Sequence, residues 1–473
     1  MCLQGLLLID TQASIPEPPS VDLWERVWPW LAFLDTYQDH LPRRLGPGLG
    51  ISDFSSLLLI NGLAKDNTTA RLMVATPGFR ILIFRAWAQS LDQCHQTKLV
   101  QTQTEGLFGM LCVVMHRLPL TITSERDFEE AIEGSGGSRL ALARLCVKHI
   151  KSVVQPAVIS DGADSMRTVI FLLQMRCKVD ESFRQLLVDQ GIVSALTSVA
   201  CHFTSPPFAQ DHLNLSRAVN YYLRMPYGHK LLIDALRAGL LRALLAYGRI
   251  SPPPESGYRE QLIQILVFFS ESSVYLSFLQ QLRVSLEELE IDAQTFQGFE
   301  LSDLWEALWS ILQSRWDFME LYLKREKRTI MATCSNLACR AIAHKSEFKR
   351  CSGCKSCKYC SKACQTRDWQ HGGHRQLCGW DGGGIHVPRG QPLPLEEVYQ
   401  GSDTVSRRDL SFMRALLHYD YLRLKRSILA DELAFLRSNP GTPFYVEFDY
   451  CMPSITSTVQ VSVKAVSSLR HGE

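Results

Sequence analysis

The sequence predicts a mainly α protein: a helical-repeat body, a small metal-braced finger, and a C-terminal helix followed by a β-hairpin. Three observations carry that reading. Leu, Ala and Arg dominate residues 24–324, and apolar residues recur there at intervals of three and four. Eight of the 15 cysteines fall between Cys334 and Cys378. Beyond Gly441, apolar and polar residues alternate with a period of two.

The whole-chain numbers set bounds. A length of 473 residues leaves room for two or three domains. A hydrophobic content of 46% supplies a packed core and excludes global disorder. A formal net charge of +2 argues against a basic nucleic-acid coat or an acidic tail. The densest apolar stretches, Gly106–Met115 and Ile263–Phe269, are too short to span a bilayer. The N-terminal MCLQGLLLID has no basic segment ahead of its apolar run, so it does not read as a signal peptide. An intracellular protein, cytoplasmic or nuclear, is the expectation, with no membrane partner. Secreted disulfide scaffolds are short and evenly rich in cysteine, whereas a tight cluster in a long chain of this kind reads as metal binding.

Five segments follow along the chain. Residues 1–20, with Pro16, Pro18 and Pro19, read as a flexible leader. Residues 21–329 form the helical body. Two of its breaks resemble each other: Gly191-Ile-Val-Ser-Ala-Leu196 and Gly239-Leu-Leu-Arg-Ala-Leu244, 48 residues apart. Each places Gly at a helix end and then opens an apolar helix. That offset is close to the period of armadillo or HEAT repeats. Pro77-Gly78-Phe79 reads as a degenerate copy, and an irregular bundle is the alternative. Loops are expected at Leu41–Gly50, Gly134–Gly137 and Ser251–Gly257. A long helix from about Leu301 to Lys327 carries Trp305, Leu308, Leu312, Trp316, Met319 and Leu323 at helical spacing, as core residues. It ends in the basic run Lys324-Arg-Glu-Lys-Arg328.

Residues 330–380 hold the finger. Residues 381–402 fall in a Gly/Pro linker. Residues 403–473 form the C-terminal module. Within it, 406–438 reads as one helix or a helical pair with the stripe Leu410, Met413, Leu417, Tyr421, Leu424 and Ile428. A hairpin with one buried face follows, marked by Phe444, Val446, Phe448, Tyr450, Val459, Val461 and Val463.

The finger carries the chemistry. Its ligand types come in four pairs: Cys334 and Cys339, Cys351 and Cys354, Cys360 and Cys364, His374 and Cys378. Four pairs make two tetrahedral sites, because zinc takes thiolate and imidazole in fours and one tight turn presents two ligands. A segment this short cannot bury enough apolar surface alone, so metal must supply folding energy. An iron–sulfur reading of Cys354, Cys357, Cys360 and Cys364 strands Cys334, Cys339, Cys351, His374 and Cys378. The zinc reading strands only Cys357. A RING-type cross-brace would end on two cysteines closer together.

The run Tyr359-Cys360-Ser361-x2-Cys364-Gln365, then Asp368-Trp369 and His374-x3-Cys378, resembles the MYND zinc finger. The resemblance implies interleaved pairs and two zinc ions. Cys334, Cys339, Cys360 and Cys364 would hold one; Cys351, Cys354, His374 and Cys378 would hold the other. The chain departs from the pattern in the four residues inside its first pair and in the longer stretch before the last His. His374 is preferred to His371 because the family places three residues between its last His and Cys. His371 is then an exposed bystander and Cys357 a free thiol. The resemblance also implies a protein-interaction module that docks short proline-containing peptides, with Gln365 and Trp369 on the contacting helix. Trp369 packed inside the finger is the alternative.

Catalysis is not expected. Two sites closed by four protein ligands leave no position for water. Some MYND fingers sit inside SET-domain methyltransferases, but the chain has no Asn-His-Ser-Cys motif and no Gly-x-Ser-x-Gly, Walker A or dinucleotide fingerprint. A chromatin regulator in direct contact with DNA is a further alternative. Between 334 and 378 nine Lys/Arg face two Asp/Glu. Thiolates and zinc offset much of that excess, leaving about +4, so nucleic acid is not favoured. The longer layout, with Trp28-Pro29-Trp30-Leu31-Ala32-Phe33-Leu34 and Asp409–His418, resembles a group of fungal MYND-finger proteins, which implies a fold and no activity. An adaptor or scaffold that binds zinc and protein is the function expected.

Overall fold

The computed structural model describes residues 19–37, 54–93, most of 111–152, 180–202, 209–248 except 226–227, 258–297, 302–328, 405–450, 459–465, and 331–378 except 337, 340, 354–356 and 372–373. The leader up to residue 18, the loops at 41–50 and 251–257 and the linker 381–402 lie outside the described residues. The protein is mainly α, with small antiparallel two-stranded sheets as its only described β structure. Among the described residues no helix is long and apolar enough to cross a membrane.

Contacts divide the chain into two compact units. The first comprises residues 1–219 and 238–252. Its helices are α1 (Pro19–Tyr37), α2 (Phe54–Leu63), α3 (Asn67–Ala75), α4 (Phe79–Gln93), α5 (Glu125–Gly134), α6 (Arg139–Ser152), α7 (Glu181–Asp189), α8 (Ile192–His202), most of α9 (Ala209–Leu223) and, after α10 (Gly228–Arg237), α11 (Leu240–Gly248). Each packs mainly on near neighbours in the chain: α1 on α2 to α4, α4 on α5, α6 on α7 and α8, and α8 on α11. Trp24, Phe79, Phe84, Trp87, Phe128 and Phe183 fill the interior.

The two sequence breaks at Gly191 and Gly239 have the same local structure. Both glycines adopt positive φ, +83° and +102°, between the end of one helix and the first turn of the next. Only glycine takes that conformation without a Cβ clash. In both, the glycine carbonyl then accepts the N–H four residues on, from Ala195 and Ala243. Gly78 and Gly137 repeat the positive φ at two earlier helix ends.

The second unit comprises residues 220–237 and 253–473. In it α10, α12 (Tyr258–Ser272), α13 (Leu276–Glu288) and α14 (Ser302–Arg328) pack together, and α17 (Arg407–Ser438) lies on α13 and α14. Trp305, Leu308, Leu312, Trp316 and Met319 of α14 are buried as expected, and Leu323 is half-buried.

The stripe expected on α17 is displaced by about one position. Ile428 is its only fully buried member, and Leu417 is 41% exposed. The buried line is instead Asp409, Phe412, Leu416 and Asp420. Charge partners make this possible. Asp420 receives Arg315 of α14 at 3.0 Å, Tyr450 Oη at 3.1 Å and Arg423 at 3.3 Å. Asp409 accepts from the backbone N–H and hydroxyl of Ser277 at the start of α13. A charge satisfied in this way can sit where a hydrophobe was expected.

The hairpin pairs β5 (Phe444–Asp449) with β6 (Gln460–Ala465). Its register sets Val446 against Val463 and Phe448 against Val461, with Glu447 opposite Ser462 on the other face. Phe435 of α17 meets Phe444 on the apolar side.

Candidate metal centre

The finger is built from turns held by very short strands. β1 (Met331–Thr333) pairs with β2 (Ile342–His344), and β3 (Lys349–Arg350) with β4 (Lys358–Tyr359). The first loop returns through Asn336, whose side chain accepts from the Ala338 N–H while its carbonyl accepts from the Cys339 N–H. That turn absorbs the longer spacing between Cys334 and Cys339. Ser335 and Lys358 exchange hydrogen bonds and tie this loop to β4. Beyond β4, α15 (Lys362–His371) presents Cys364, and the single turn α16 (His374–Leu377) presents His374.

Two clusters result. Cys334, Cys339, Cys360 and Cys364 converge as one. Cys360 Sγ lies 3.6 Å from Cys339, 3.6 Å from Cys364 and 3.8 Å from Cys334. A tetrahedral zinc with bonds of about 2.3 Å places its sulfurs about 3.8 Å apart. A disulfide would bring two of them to about 2 Å. The group therefore fits zinc. The Ser361 hydroxyl, then the Cys360 thiol, pull Cys364 down to about 7, while donation to Cys364 helps push Cys360 up to about 12.

Cys351, His374 and Cys378 converge as the second cluster. Cys351 and Cys378 are 3.5 Å apart, and His374 Nε2 is 3.3 Å from Cys351 Sγ. His374 is buried and His371 is exposed. Cys354 lies outside the described residues. Its neighbour Gly353 has no room for a side chain, since a Cβ there would meet Cys378 Sγ at 2.8 Å.

A third feature was not read from the sequence. Cys357, expected as a free thiol, lies 3.3 Å from Nδ1 of His374. Its carbonyl accepts from the Cys351 N–H. Nearby, buried Tyr359 donates to Asp368 Oδ2 at 2.6 Å. Burial first, then this bond, holds the phenol above its ordinary pKa. The apolar core is minimal: Phe348 and Tyr359 with the cysteines Cys334 and Cys351.

Gln365 and Trp369 are four residues apart on α15 and share one face. Gln365 is half-buried; Trp369 is 39% exposed and sets its ring edge-to-face against His374. The indole thus contributes to the small core and keeps an open side. Lys349, Arg350, Lys362, Arg367 and Arg375 stand exposed around the two clusters.

Residues 332–378 match the family model of the MYND finger. That segment is a MYND-type finger, a zinc-binding protein-interaction domain. No curated protein and no solved structure matches the chain.

Proposed function

We propose that the chain is a non-catalytic adaptor whose finger carries two zinc ions and docks short proline-containing peptides. Cys334, Cys339, Cys360 and Cys364 hold one ion. Cys351, Cys354, His374 and Cys378 hold the other. The observation that supports the reading is the face of α15. There Gln365 and Trp369 stand side by side above a rigid cross-braced scaffold, and a half-exposed aromatic on a rigid base is a good anchor for a peptide. Closed four-ligand sites serve as framework, not as Lewis acids. The helical body supplies a second surface on which an adaptor could gather proteins.

Partner capture tests this. The tagged chain is compared with Trp369→Ala and with Cys360→Ala, which removes a ligand of the first site. Partners lost from both variants, and sharing proline-containing segments, support the reading. Partners retained by both place recognition outside the finger. Calorimetry with S-adenosylmethionine checks the enzymatic alternative, and binding would contradict an adaptor role.

A further inference from the structure

We propose that the face of α17 from Tyr419 to Leu436 joins a second copy of this chain as an antiparallel helix pair. Tyr419, Leu422, Leu429, Leu433 and Leu436 stand between 40% and 55% exposed on this helix. Their spacing alternates three and four residues once Arg426 is included, which is a seam repeating every seven residues. From Leu422 onward the seam is distinct from the line the helix buries, which runs through Phe412, Leu416, Asp420 and Ile428; Tyr419, at its start, also rests its ring on Phe318 of α14 at 4.9 Å. Nor is it the side that meets the hairpin, which uses Phe435.

Charge on the seam's border selects the occupant. Lys425 and Glu432 lie seven residues apart on the same flank, and Arg426 sits in the seam itself. A parallel pair would set Arg426 against Arg426. An antiparallel pair sets Arg426 beside Leu429 of the second copy and stacks Leu422 on Leu433 and Tyr419 on Leu436. It also places Lys425 of each copy near Glu432 of the other, twice by symmetry. The flanking charges complement each other only when the helix is reversed, and reversal moves the two Arg426 side chains from the same layer to adjacent ones. A seam of this length gives a weak, concentration-dependent dimer.

Sedimentation of the full zinc-loaded chain over about a hundredfold range of concentration reads the monomer–dimer balance directly. The wild type is expected to dimerise, and Leu429→Asp with Leu433→Asp to be monomeric with unchanged circular dichroism. Lys425→Glu or Glu432→Lys alone should weaken the dimer about tenfold, and the two together should restore it. A wild type that stays monomeric throughout overturns the proposal, including the case in which residues 379–404 cover the seam. A dimer untouched by the Leu429 and Leu433 changes overturns it, because another surface then carries the contact. Failure of the paired charge exchange to restore association overturns the antiparallel arrangement.

Discussion

Cys357 Sγ lies 3.3 Å from Nδ1 of His374, while Nε2 of the same ring points to Cys351 at 3.3 Å. The two nitrogens of one imidazole therefore serve two purposes: one turns toward the ligand cluster and the other is held from behind. Outer partners of this kind fix the tautomer and ring orientation of a metal-bound histidine. Sulfur is a weak acceptor, so the hold is softer than a carboxylate's. Cys357→Ala should keep two zinc ions per chain but release one of them to a chelator roughly tenfold faster. Cys357→Ser should recover part of the loss. A fall to one ion would make Cys357 a ligand; an unchanged release rate would remove its positioning role.

The bond from Tyr359 to Asp368 braces the same region. Tyr359→Phe keeps the ring but leaves a buried carboxylate oxygen without its donor, at a cost of about 1–3 kcal/mol. Zinc supplies most of the finger's folding energy. The loss should therefore appear as weaker zinc retention and faster amide exchange in α15, with the helical body unchanged. Equal exchange in the two proteins would contradict the bracing role.

Asp420 is the pivot between α14, α17 and the hairpin. Asp420→Ala leaves Arg315 charged in a dry interior and should destabilise the second unit by about 3–5 kcal/mol. Replacing both partners, with Arg315→Met and Asp420→Leu, should recover most of that loss. Denaturant unfolding followed by exchange in α14 measures both. If the double variant is as unstable as the single, the pair is not the source of the cost.

His149 makes the first unit sensitive to acid. Its Nδ1 accepts the Trp87 indole N–H at 3.0 Å, and burial pushes its pKa down to about 3. A folded pKa below the unfolded value means the neutral ring is the stabilising form. That stability is complete above about pH 6.5 and drains away as the pH falls toward 3, by roughly 2 kcal/mol at pH 5. His229 of the second unit, pushed down to about 4 by its burial, adds its own acid loss. His149→Gln should flatten the pH dependence of exchange in α4 and α6 and leave that of the second unit alone. An unchanged slope in α6 would contradict this.

Much of the fold was legible because its signals are local. Gly191 and Gly239 mark helix ends through their backbone, and the spacing from Trp305 to Met319 marks a buried helix face. The alternation from Phe444 to Val463 fixed the hairpin's apolar pairs. The α17 face was misplaced for a physical reason. Asp409 and Asp420 carry charge and so fall outside any apolar stripe, and their partners Ser277 and Arg315 are distant in sequence. Cys357 was read as a free thiol because its contact depends on which way the His374 ring turns, which spacing does not encode. Gly78, in the segment read as a degenerate copy, shares the positive φ of Gly191 and Gly239, and Gly137 adds a helix end that sequence similarity did not mark.

The central claim is a finger braced by two zinc ions. Native mass spectrometry of the full chain, with elemental analysis of the same sample, tests it most directly. Two zinc ions per chain and no iron are predicted, with stoichiometry falling when Cys360 or His374 is replaced by alanine. A single ion in the wild type, or iron in place of zinc, would contradict the account.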